Sequence, residues 1–159
     1  MNLAKMLRLS GGPQNLPASW PLAVFMVSAY MLQNLITGQQ LEDDNAASKS
    51  LVAICLQITV LTGLLYWRRH LERFPQTLSA LAGVGIIFNT MVWALLTQVD
   101  VAANQPLLAI TWFAVFIWSL FVDAHIYRHS LSVSLATGML ITVLALAASY
   151  TLIEMLFLI

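Results

Sequence analysis

Charge is the scarcest commodity in this 159-residue chain. Asp, Glu, Lys and Arg together make up 9% of it, against about a quarter in a soluble domain. Hydrophobic residues make up 60%, and the mean hydropathy is +0.82. A soluble fold of this size cannot hide so much apolar surface, and disorder needs the opposite composition. Seven basic residues balance seven acidic ones, so no cationic surplus points to nucleic acid. The single cysteine, Cys55, excludes an internal disulfide and any multi-cysteine zinc site. There is no HExxH, no GxSxG elbow and no Walker A loop. No apolar run holds two carboxylates or a central proline, and five runs do not divide into equal halves. These absences count against an enzyme and against a repeat-built carrier, and no cofactor is expected.

What is present is a set of apolar runs. A membrane-spanning helix needs about 20 such residues, and five segments qualify: 20–36, 50–67, 78–96, 106–122 and 131–157. The expected fold class is therefore all-α, a polytopic transmembrane bundle of five helices preceded by an N-terminal segment, 1–19. Prolines 13, 17, 21, 75 and 106 fall at or near the expected helix starts, where a missing N–H is cheap. The basic residues set the orientation. Lys5, Arg8, Arg68, Arg69, Arg73 and Arg128 fall on one side of a five-span chain, and only Lys49 falls on the other. The positive-inside rule then puts the N-terminus in the cytoplasm and the C-terminus outside. Residues 1–10 have an amphipathic pattern in which Leu3, Met6 and Leu7 would face lipid; a frayed end is the equal alternative. The opposite side carries the acidic trio Glu42, Asp43 and Asp44.

Polar side chains inside apolar runs are costly unless partnered, so each is a candidate site. Asn34, Gln57 and Asn89 are the intramembrane amides. Their ordinary role is to bond neighbouring helices, and binding a solute is the sharper one. Glu154 is expected near an interface. The end of the fourth span gathers Asp123, His125, Tyr127, Arg128 and His129. His125 and His129 are one helical turn apart, which makes them a weak metal candidate. No glutamate base accompanies them, and no metal is assigned. Asp123 can also pair with an arginine of the 68–73 loop. Arg68, Arg69 and Arg73, with Asp123 and Arg128, suit a stop signal, a lipid-headgroup contact and a cytoplasmic docking surface. Ser79 with Gly83, nearby Gly85, and Ser134 with Gly138 have the small-residue spacing of close helix packing.

The second half of the chain resembles the Yip1-like small integral membrane proteins. The resemblance rests on FPQTLSAL from Phe74 and on IWSLFVDAHIYRHSLSVSLATGMLITVLALA across the last two spans. It implies five helices, a cytoplasmic N-terminus, and a role in binding other proteins. The near-absence of long loops suits a bacterial inner-membrane protein. The function expected first is a non-enzymatic accessory or scaffold protein. Its partners would be membrane lipids and other membrane subunits, or further copies of itself. The alternative is a small transporter or channel subunit with a polar path near Gln57 and Asn89, joined by Asp123. An enzyme built on Asp123, His125 and His129 ranks third.

Overall fold

The computed structural model describes residues 2–41, 45–100 and 105–157, and the trio Glu42, Asp43 and Asp44 lies outside them. The described residues form two short 3-10 turns, no strand and six α-helices: α1 (Asn2–Leu7), α2 (Trp20–Gln40), α3 (Ala46–Trp67), α4 (Phe74–Leu96), α5 (Pro106–Leu131) and α6 (Leu135–Phe157). Five of them, α2 to α6, are long and apolar enough to cross a membrane. This is an all-helical, multi-pass membrane protein.

Local sequence sets the helix ends. Ser19 caps α2 by accepting from the Leu22 N–H at 3.4 Å, and Pro21, Pro75 and Pro106 occupy first turns. Three helices stop on a non-glycine residue in the left-handed region: Leu9 after α1, Arg69 after α3 and Ser132 after α5, with φ of 56°, 57° and 54°. In each case the next residue's N–H reaches back five positions, Ser10 to Lys5, His70 to Leu65 and Val133 to Arg128. This closure satisfies end carbonyls and offsets the backbone strain. Along the spans, hydroxyls of Thr37, Thr59, Thr62, Ser79, Thr90 and Thr142 bond the carbonyl four residues back. The helix itself thus supplies their partner in apolar surroundings.

The five spans form a ring in the order α2, α3, α6, α5, α4 and back to α2. Of these, α4 is the most deeply buried; Ala80, Leu81, Val84 and Phe88 join Leu61 and Leu65 of α3 and Val122, Ile126 and Leu131 of α5 in the core. Small residues allow these approaches. A methyl added to Gly138 of α6 would collide with the Ala124 carbonyl oxygen of α5, and one added to Gly85 would lie 2.8 Å from the Tyr30 ring of α2. Trp20 and Trp67 are exposed at helix ends, as interfacial indoles should be.

Two expectations need correction. The fourth span ends nine residues later than expected, at Leu131, and the fifth begins four residues later, at Leu135. Asp123, His125 and His129 are therefore helical rather than part of a loop, and His125 is buried. The second correction concerns the N-terminal segment. Leu3, Met6 and Leu7 pack against the protein core rather than facing lipid, and Met6 is fully buried. Leu3 fills the space over Gly83. Trp118 Nε1 donates to the Leu7 carbonyl at 3.0 Å, and His125 Nε2 lies 3.1 Å from the Gly11 carbonyl. The segment is wedged against α4 and α5, with Gly11, Gly12 and Pro13 buried. Its exposed cations, Lys5 and Arg8, explain why composition alone suggested an interfacial stretch. Trp118→Phe keeps the ring that stacks edge-on against Phe88 at 5.2 Å and removes the donor to Leu7. A lost bond of about 1 kcal/mol predicts roughly fivefold faster amide exchange over residues 3–11. Unchanged exchange would mean that apolar contact alone holds the wedge.

Candidate functional site

The five spans together line a half-open cavity of about 370 Å³. Its volume lies within the range of small-molecule sites. Tyr30 enters from α2, Gln57 from α3, Asn89 from α4, Asp123 and Tyr127 from α5, and Thr142 and Ser149 from α6. The remaining wall is apolar, including Leu81, Phe88, Phe116 and Leu120. At 1.5 Å per residue, Asp123 lies about 12 Å along α5 from Leu131, and Gln57 about 15 Å along α3 from Trp67. These polar groups are thus well inside their spans.

The three intramembrane amides have different fates. Asn34 lies outside the cavity wall and links two helices. Its Nδ2 donates to the Tyr30 carbonyl at 2.9 Å, and its Oδ1 accepts from Asn89 Nδ2 at 3.4 Å. Gln33 on the same helix donates to Thr90 Oγ1 at 2.7 Å, while its own Oε1 is buried without a partner. Asn89 is therefore both a strut to α2 and part of the cavity wall. Gln57 faces the cavity and makes no hydrogen bond among the described residues. The Asp123 carboxylate likewise makes no ion pair with any described residue.

Asp123 does not pair with the 68–73 arginines, two of which, Arg68 and Arg73, are committed to the end of α5. Arg73 Nη1 donates to the carbonyls of His129 and Ser130 at 3.3 and 3.2 Å and to Ser132 Oγ at 3.0 Å. Arg68 Nε and Nη2 donate to the carbonyls of Leu131 and Ser132 at 3.2 and 3.4 Å. The terminal carbonyls of a helix lack internal partners and carry its negative dipole end, which suits two guanidiniums. Nearby, Thr77 Oγ1 donates to Ser130 Oγ at 2.9 Å in a buried contact between α4 and α5. Glu72 sits 3.4 Å from His70 Nδ1 and 3.7 Å from Arg73 Nε. Arg69 and Arg128 are exposed.

The rings of His125 and His129 meet edge-on with centroids 4.5 Å apart. Among the described residues no third His, Cys, Asp or Glu joins them in a group able to hold a metal. Ser79 is buried and bonds the Pro75 carbonyl at 2.7 Å, and Ser134 bonds Thr137 beside the start of α6. Of the small residues singled out for packing, Gly83, Gly85 and Gly138 are each occupied by a neighbour from the same chain. Sequence reasoning overlooked Gln33, Tyr30, Thr142 and Ser149. Only Gln33 carried a usable signal, an amide beside Asn34 inside an apolar run.

Comparison with protein-family models, with curated proteins and with solved structures gives no match. The reading of this chain rests on its own geometry.

Proposed function

We propose that the chain is the solute-binding core of a small, non-enzymatic membrane transporter or channel, and that the central cavity is its binding site. One observation carries this reading. Gln57, Asn89 and Asp123, far apart in sequence and on three helices, face the same cavity. Polar groups that served only to join helices would be expected to bond one another, yet Gln57 and Asp123 make no such bonds among the described residues. The accessory-subunit reading draws on small-residue seams, intramembrane amides and the 68–73 loop; of the seams, Gly83 and Gly138 are met here by Leu3 and Ala124 of the same chain. The basic bias supports a cytoplasmic N-terminus, and the near-absence of long loops suits a bacterial inner membrane. The outer helix faces then meet lipid or further subunits.

The test is accessibility to water. In a Cys55→Ser background, Gln57→Cys and Asn89→Cys should react with a water-soluble methanethiosulfonate at least tenfold faster than Leu144→Cys, whose side chain lies on the outer face of α6. Rates equal to that of the lipid-facing control would mean a dry packing defect rather than a solute site.

A further inference from the structure

Beside the central cavity, a second hollow of about 310 Å³ lies between α4 and α5, and its lining is almost wholly apolar. The two hollows share Phe88, Val92, Phe116 and Ser119. They are therefore adjacent chambers with a common wall. The second opens outward: Phe113 on its rim is 66% exposed, and in a membrane-spanning helix that surface faces lipid. The second hollow is thus separated from the chamber holding the carboxylate only by the side chains of Phe88, Val92, Phe116 and Ser119.

We propose that the two hollows form one bipartite site for an amphiphilic organic cation. The ammonium head lies in the central cavity near Asp123, and the apolar part occupies the hollow between α4 and α5. This rests on reading the central cavity as a solute site and names the class of solute. A carboxylate among apolar walls is expensive unless a cation or a proton neutralises it. No basic side chain among the described residues lies within 4 Å of Asp123. Aromatic rings supply the rest of the recognition. Tyr30, Phe88, Phe116 and Tyr127 line the same chamber, and ring faces attract an alkylammonium that gives up little hydration. An anion would be repelled by Asp123. A neutral sugar-like solute would use the amides but would gain nothing from the apolar annex. An amphiphilic cation uses both chambers, and it concentrates in the membrane onto which the annex opens.

The experiment uses the full chain in lipid nanodiscs with Cys55→Ser and a reporter thiol from Gln57→Cys, or separately from Ser149→Cys. Three probes are compared: benzyltrimethylammonium, tetramethylammonium, which lacks the ring, and neopentylbenzene, the uncharged analogue of the first. Benzyltrimethylammonium should slow methanethiosulfonate labelling, and neopentylbenzene should not. Asp123→Asn should raise the half-protecting concentration at least tenfold, and Asp123→Glu should retain protection. Val115→Trp, which fills the annex at a residue that does not line the central cavity, should weaken benzyltrimethylammonium at least fivefold while leaving tetramethylammonium unchanged. A shift in melting temperature on adding benzyltrimethylammonium gives a second readout if a variant labels poorly. Thiols that label without protection, or protection undiminished in Asp123→Asn, would overturn the cation assignment and leave the solute site standing. Equal protection by tetramethylammonium and benzyltrimethylammonium would overturn the bipartite arrangement. Thiols that never label would remove the underlying reading.

Discussion

Replacing Gly138 by leucine is expected to cost about 3 kcal/mol or more and to lower the melting temperature sharply. The α-carbon of Gly138 faces the backbone of α5, where even a methyl would strike the Ala124 carbonyl oxygen. A flexible side chain can yield to an intruding group. A carbonyl locked in a helix can yield only by moving the helix. Overpacking that shifts backbone typically costs 1–3 kcal/mol and can exceed that, against a total stability on the order of 10 kcal/mol. Gly138→Ala should fall between wild type and Gly138→Leu. Asp123 precedes Ala124, so the milder variant should also disturb the cavity wall. Thermal melting of both variants in detergent checks the order. A melting temperature unchanged by Gly138→Leu would mean that α5 and α6 do not approach as closely as described.

Arg73→Leu is the second large effect, expected to cost about 2 kcal/mol. One guanidinium nitrogen serves two end carbonyls of α5 and the Ser132 hydroxyl. Hydrogen bonds to a charged donor contribute about 1.5–3 kcal/mol when shielded. The Arg73 side chain is 34% exposed, so solvent screening lowers that range. The loss should be localised, with faster amide exchange at 128–133 before any global change. Arg73→Lys keeps the charge at the negative end of the helix dipole but cannot fork across several acceptors. It should recover about half of the loss. Full recovery by lysine would show that charge rather than geometry holds the joint.

Five spans were legible because length and apolarity are written residue by residue, and Pro21, Pro75 and Pro106 mark three of their starts. The end of α5 was not. Asp123, His125, Arg128 and His129 look like a solvated terminus, and only the folded N-terminal segment, with Gly11 against His125, shows that part of this stretch is covered. The arginines of the 68–73 loop read as a membrane stop signal. Their acceptors are backbone carbonyls, which have no sequence signature. The cavity was half legible. Gln57, Asn89 and Asp123 could be picked out as polar groups needing partners, but their convergence depends on the order of helices around the ring. Lipid and protein interior are equally apolar, so hydropathy cannot reveal which face of a span turns inward. Tyr30 was indistinguishable from an ordinary packing aromatic for that reason.

The wedge of residues 2–15 also constrains the order of assembly. Its contacts span long stretches of chain, 111 residues from Leu7 to Trp118 and 114 from Gly11 to His125. At elongation rates of about 5–20 residues per second, the segment waits on the order of ten seconds before its seat has been made. During that interval an amphipathic stretch bearing Lys5 and Arg8 has a natural resting place at the lipid headgroups. The pattern that suggests an interfacial helix thus describes where the segment waits, and the folded protein shows where it goes. The segment takes its seat only after α4 and α5 are side by side.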